Sequence, residues 1–398
     1  MRLLEHQSRK LLEEFGLRFT DAVVVETADA AAKEAQTLGL PVMIKAQVPF
    51  GGRGKAGAVL SADTPEDAAS AADQLLGRQL RGVTVTRLSV ERKVSFLREF
   101  YVGITWDTAS KLPVALLGPS GGVDVEQATA QIARQTLDPW TGLACYQGRE
   151  MAARAGLSGK TLVAVGDVFN RLARAFLDRD AVLAEVNPLV EVAPGQLLGL
   201  DAHVEIEDDA AYRQQAQLEP LGEIFTTTTG RKPTSLELEA QRIDSMDHRG
   251  VAGRVVEFDG DLALLIGGGG ASLTVFDAIL HHGGKPANYC EIGGNPTAEK
   301  VAALTRLLLS KPEVKRLAVI MNVVNNTRAD VIARGVLDGV ESAGQKASEI
   351  ISLFRVPGSW EDEARDIMAA AGVASCGREI SLDRCARLVA EGDSPGVT

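Results

Sequence analysis

A chain of 398 residues exceeds what one hydrophobic core usually supports, so two or three domains are expected. With 45% hydrophobic and 24% charged residues it has the composition of an ordinary globular protein, and its net charge of −11 argues against nucleic acid as a partner. No apolar run reaches the ~18 residues a bilayer span requires, so no membrane association is expected. The opening stretch "MRLLEHQSRKLLEEF" reads as a charged amphipathic helix rather than a signal peptide, which predicts a cytoplasmic location. Cys145, Cys290, Cys376 and Cys385 lack CxxC spacing and are expected to be plain thiols.

Residues 1–215 mix short strands with helices. "TADAAAKEAQTLG" predicts a helix with Thr27 as its N-cap and Gly39 as its stop. The apolar run "LPVMIKAQV" that follows predicts a strand carrying Lys45, and a lysine there costs free energy unless it reaches an anion or snorkels at the strand end. Directly after it comes "VPFGGRGKAG". Gly51, Gly52 and Gly54 let the backbone approach a ligand, while Arg53 and Lys55 supply positive charge. The spacing fits neither GxxxxGK[ST] nor GxGxxG, and a flexible lid over a nucleotide triphosphate is the alternative.

Further along, "AVLAEVNPLVEV" and "GQLLGLDAHVEI" flank the turn signal "APG" and predict an antiparallel hairpin. A three-residue loop centred on Pro194 places Asn187 opposite Asp201, and strand alternation puts Glu185 on the same face. Three oxygen-bearing side chains on one face suit Mg²⁺, and an exposed polar face is the alternative. Residues 216–253 lack sustained apolar periodicity and read as a connection. Over 254–390 the pattern repeats as apolar strand, glycine turn and amphipathic helix, which predicts a parallel sheet with ligand loops at its strand ends. The tail 391–398 is expected to fray.

"EHQSRKLLEEFGL", "VMIKAQVPFGGRGKAGAV", "VERKVSFLREFYVGI", "LDPWTGLACYQGRE", "AEVNPLV", "LGLDAHVE" and "GGKPANYCEIGGNPT" together resemble the β subunit of ADP-forming succinate-CoA ligases, over nearly the whole chain. The resemblance implies an N-terminal ATP-grasp domain followed by a flavodoxin-like parallel-sheet CoA-ligase domain. It implies that ATP, or GTP, contacts Lys45, Gly52, Arg53, Gly54, Glu91, the backbone near Val94, and Glu99, and that Mg²⁺ binds Asn187 and Asp201. It also implies an α-subunit partner that carries the phosphohistidine and most of the CoA site, in an αβ or (αβ)₂ assembly. None of His6, His203, His248, His281 and His282 lies in a motif matching that phosphohistidine, so no catalytic residue of that kind is expected on this chain.

Two loops depart from the succinate pattern. "GGGGAS" (267–272) and "MNVVNNTRAD" (321–330) resemble the matching loops of ATP-citrate lyase. That resemblance implies an acid site at Gly267, Gly268, Asn325, Asn326 and Thr327, with Arg355 of "LFRVPG" as a weaker candidate, and an acid more oxygenated than succinate, citrate- or malate-like. A tight strand-helix turn and a helix cap are the plain alternatives. An ATP-grasp ligase that does not use CoA, or a non-catalytic subunit, are the competing readings of the whole chain.

Overall fold

Local chemistry starts and stops the elements of the first half. The N-terminal stretch forms the helix Glu5–Glu13, which buries Leu11 and Leu12. Thr27 Oγ1 accepts the Ala30 amide at 3.2 Å, and the helix Ala28–Leu38 ends on Gly39 at φ +87°, a conformation glycine adopts without a Cβ clash. The computed structural model describes residues 1–119, 132–222, 231 and 233–392. It divides into two compact units, Met1–Lys232 and Pro233–Thr398.

The first unit carries two antiparallel sheets. One runs in the order Ala22–Val25, Leu88–Arg92, Val42–Ala46, Val59–Ala62. In its strand Val42–Ala46, Val42, Ile44 and Ala46 are fully buried in the apolar core, which places Met43 and Lys45 on the opposite face. The other sheet runs Gln196–Gly199, Ala181–Ala193, Arg98–Asp107, Leu112–Gly118, Ala133–Thr136, and Ala202–Ile206 also pairs with Ala181–Ala193. The helix Gly159–Asp178 covers it with Phe169 and Phe176.

The hairpin turn differs from expectation by one residue. Ala193 pairs with Gln196, so Pro194 and Gly195 form a two-residue turn, with Gly195 at φ +79°. A register shift between Glu191 and Ala193 absorbs the difference. Beyond it the pairing is the expected one: Glu185 faces His203, and Asn187 N donates to Asp201 O at 3.0 Å.

In the second unit the sheet order is Val251–Glu257, Asn288–Gly293, Leu262–Gly267, Arg316–Met321, Ile351–Arg355. All neighbours are parallel except the edge strand Val251–Glu257. Taken in chain order the four parallel strands lie 2-1-3-4, the flavodoxin-like arrangement, which has its switch point between the first and third. Leu262–Gly267 is buried throughout: Ala263 and Leu265 enter one core, and Leu262, Leu264 and Ile266 enter the other. Both faces are therefore covered, as a parallel sheet requires.

The stretch 216–253, expected as a connection, contains the helix Ser235–Asp244 and the start of the strand Val251–Glu257. Thr234 Oγ1 accepts the Glu237 amide while Glu237 accepts the Thr234 amide, and Ala240 and Ile243 enter the core. Its residues 223–230 and 232, and residues 393–398 of the expected tail, lie outside the described residues. The described part of that tail closes the helix Leu382–Glu391 with Gly392 at φ +79°. Among the described residues no helix is long and apolar enough to cross a membrane. All four cysteines are free thiols.

Candidate functional site

Lys45 leaves the first sheet on the face opposite its core and enters a cavity of about 380 Å³. Arg53, Glu91, Asn187 and Asp201 line the same cavity, together with Gly52, Gly54 and Val94. Eight of the nine nucleotide and metal candidates thus line one cavity. Glu99 does not: it sits on the strand Arg98–Asp107 opposite Val190, away from the cavity lining.

Anions do surround Lys45, and they belong to the protein. Its Nζ lies 2.8 Å from Glu91 Oε2 and 3.1 Å from Glu5 Oε1, and donates to Leu200 O at 2.6 Å. Arg53 Nη1 donates to Glu5 Oε2 at 2.6 Å and to Ala46 O at 3.0 Å, while Nη2 donates to Asp201 Oδ2 at 2.6 Å. Arg9 Nη1 lies 2.9 Å from the remaining oxygen of Glu91. Burial alone pushes the Glu5 carboxyl up, but Arg53, Lys45 and Arg9 outweigh it and hold the group well below the usual carboxylate range. Against the same burial, Glu5 and Glu91 raise Lys45, so its ammonium is firmly charged.

Glu5 and Arg9 were missed by motif reasoning. Their signal was present, since positions 5, 8, 9 and 12 of a helix share one face, and Glu5, Ser8, Arg9 and Leu12 are all buried. Charged residues on a burying stripe need partners, and these two are partnered.

At the hairpin, Glu185 joins Asn187 and Asp201 on the cavity wall, as strand alternation predicts. Burial raises Glu185 above the usual carboxylate range, and Tyr101 OH donates to its Oε2 at 3.0 Å. Among the described residues no cluster of three or more His, Cys, Asp or Glu forms a self-sufficient metal cage. The donor set that exists, one half-buried aspartate, one amide and a nearby glutamate, fits Mg²⁺, a hard ion that takes one or two carboxylates and completes its shell with water and phosphate oxygens.

In the second unit the two candidate acid loops lie at the C-terminal ends of the adjacent strands Leu262–Gly267 and Arg316–Met321, at the switch point. Close packing explains two of the glycines. A Cβ on Gly267 would sit 2.2 Å from Ile292 O, and one on Gly268 2.7 Å from Asn322 Cβ. Gly269 and Gly270 face open space, and Gly269 N donates to Glu291 Oε1 at 2.9 Å. Asn325 and Asn326 are exposed. Thr327 is not: it is 2% exposed, and its Oγ1 accepts the Asn295 amide at 3.1 Å, joining two loops. Arg355 is likewise buried, donating to Met321 O at 2.5 Å and Ile380 O at 3.0 Å instead of facing an open carboxylate position.

Residues 2–191 match the ATP-grasp domain family, and residues 231–372 match the ATP citrate lyase citrate-binding family. The ADP-forming succinate–CoA ligase β subunit of Rubrobacter xylanophilus is 35% identical, with 93% of this chain and 92% of that one aligned. The GDP-forming β subunit of Thermus thermophilus is 34% identical, with 92% and 93% aligned. Among solved structures, ATP citrate lyase from Methanothrix soehngenii, in complex with citrate and coenzyme A, superposes with a TM-score of 0.77 at 22% identity, covering 98% of this chain and 99% of that one; this likeness concerns the fold. With relatives above 30% identity along more than nine-tenths of its length, the chain belongs to the succinate–CoA ligase β-subunit family, carboxylate–CoA ligases that work as subunits of a complex.

Proposed function

We propose that this chain is the nucleotide-handling subunit of an ADP-forming carboxylate–CoA ligase. The observation that carries the reading is the convergence of Lys45, Arg53, Asn187 and Asp201 on one cavity beside a glycine loop. Lys45 and Arg53 supply charge for a triphosphate, and Gly52, at φ +73°, lets the loop backbone fold over it. Asp201 and Asn187 would hold Mg²⁺, which would supply charge neutralisation for the phosphates there.

Joining a carboxylate to a thiol is uphill in water, so the acid must first be activated. The γ-phosphoryl group of ATP passes to a histidine of the α-subunit partner, releasing ADP. A carboxylate oxygen of the acid then takes the phosphoryl group, freeing the histidine, and the CoA thiol displaces phosphate to leave the thioester. The partner also carries most of the CoA site.

The acid we assign is citrate- or malate-like. Asn325 and Asn326 add exposed amide donors at the switch point, and the match of residues 231–372 to the citrate-binding family favours an oxygenated acid. Succinate is the second reading, favoured by the names of the relatives at 34–35% identity.

Labelled ATP tests the division of labour. Incubated with ATP and Mg²⁺, this chain alone should form no phosphohistidine, and addition of the partner should produce one on the partner. His203 lines the cavity, with its ring nitrogen 3.0 Å from Glu205. A stoichiometric phosphohistidine on this chain that His203→Asn removes would overturn the assignment.

A further inference from the structure

The cavity contains a conflict. Arg53 is the candidate phosphate ligand and Asp201 the candidate metal ligand, yet they hold each other, Nη2 to Oδ2, at 2.6 Å. While that pair stands, Arg53 Nη2 and Asp201 Oδ2 are each engaged with the other. Within the ion-pair cluster the charges balance: Arg9, Lys45 and Arg53 face Glu5, Glu91 and Asp201. A metal ion entering alone meets a guanidinium on its carboxylate, and a phosphate entering alone meets a carboxylate on its arginine.

The two carboxylates that grip Arg53 are unequal. The Glu5 side chain is 2% exposed and bonded on both oxygens, to Arg53 at 2.6 Å and to Lys45 at 3.1 Å. The Asp201 side chain is 36% exposed and forms part of the cavity wall. Releasing Glu5 takes a cation from a carboxylate oxygen that water cannot reach, whereas releasing Asp201 leaves a carboxylate that water or a cation can reach. Arg53 Nη1 is further fixed by Ala46 O at 3.0 Å.

We propose that Glu5 is a positioning residue that anchors Arg53 through Nη1 while Asp201 changes partner, from Arg53 Nη2 to a divalent cation, so that the released Nη2 takes a phosphate oxygen. Metal and nucleotide then load as a pair, because each supplies the new partner that the other's entry requires. The inference rests on the nucleotide-site reading of this cavity. It adds that Arg53 opposes metal binding when nucleotide is absent and favours it when nucleotide is present, a coupling that must act equally in both directions.

The test uses the full chain, with Mn²⁺ followed by electron paramagnetic resonance and ADP by calorimetry. Without nucleotide, Arg53→Ala should bind Mn²⁺ about tenfold more tightly than the unaltered chain, since one lost ion pair of ~1.4 kcal/mol corresponds to a decade. Lys45→Ala removes the same charge without freeing Asp201 and should change Mn²⁺ affinity far less. In the unaltered chain ADP should tighten Mn²⁺ binding, and in Glu5→Gln that enhancement should shrink by about tenfold. Should the Arg53 variant fold poorly, the guanidinium signal of Arg53 in a ¹⁵N-arginine-labelled chain, identified by its loss in Arg53→Lys, should move with Mg²⁺ and ADP together but with neither alone. Unchanged or weaker Mn²⁺ binding in a folded Arg53→Ala, or an unmoved guanidinium signal with both ligands bound, overturns the exchange. Failure of the unaltered chain to bind ADP at all would instead overturn the nucleotide-site reading and the exchange with it.

Discussion

The two candidate sites are built in opposite ways. In the first unit the centre of the cavity is preassembled: Lys45 and Arg53 already have carboxylates 2.6 to 3.1 Å away, with Glu5 and Glu91 buried and Asp201 part-exposed. At the strand ends of the second unit the polar groups are exposed amides, while the buried ones, Thr327 and Arg355, are spent on backbone atoms. Phosphate and metal carry large charges that must be matched before water leaves, so a nucleotide site demands fixed counter-charges. A small acid is recognised by the number and direction of hydrogen bonds, and loops at a switch point can change these without disturbing the sheet.

The sharpest way to break this comparison is to remove one preassembled charge. Lys45→Ala should lower ADP formation by the complex about a thousandfold, at the upper end for loss of one oriented electrostatic contact. The fold should survive, because Glu91 keeps Arg9 at 2.9 Å and Glu5 keeps Arg53 at 2.6 Å. Circular dichroism checks the fold, and coupled ADP release with the partner checks the rate. A folded variant with activity near that of the unaltered complex would show that the cavity is an ion-pair core and no more.

That asymmetry also governs what was legible in the sequence. Lys45 in an apolar strand and Asp201 opposite Asn187 could be located by alternation alone, since strand periodicity fixes which side chains share a face. The hairpin register came out right although its turn was one residue shorter, because the shift between Glu191 and Ala193 restores the pairing beyond it. What alternation cannot give is the partner brought from afar: Glu5 meets Arg53 across 48 positions, and nothing local to either residue encodes that contact. The helix Ser235–Asp244 escaped for a different reason. Its Thr234–Glu237 capping box was readable, but the apolar part of its buried stripe is Ala240 and Ile243 with Leu236 partly buried, too short to register as a period. Loops tell even less, and Thr327 reads the same whether its hydroxyl faces an acid or a neighbouring amide.

A smaller effect is expected where the acid is chosen. Replacing both exposed amides, Asn325→Ala with Asn326→Ala, should reduce the ratio of kcat/KM for a citrate- or malate-like acid over succinate by about tenfold, the scale of one or two specific hydrogen bonds. The measurement is a panel of carboxylic acids run with the assembled complex. An unchanged ratio would leave the amides as solvated loop residues and return the acid to succinate.

The smallest effect separates contact from support within the same loop. Thr327→Val keeps the size and branching of the side chain and removes only the hydroxyl, which accepts the Asn295 amide at 3.1 Å and lies 3.4 Å from Asn326 Oδ1. Asn295 is only partly buried, so water can replace the lost acceptor, and the net cost should be about 1 kcal/mol of stability, the scale of one intramolecular hydrogen bond. Denaturant midpoints measure it. Because the hydroxyl ties the loop after Asn288–Gly293 to the loop after Arg316–Met321, its loss should loosen both, and kcat/KM should fall by the same modest factor for succinate and for the more oxygenated acids. A hydroxyl that touched the acid would behave otherwise: stability would hardly change, and the preference between acids would shrink. Asn325 and Asn326 choose the acid on this account, and Thr327 holds the loop that presents them.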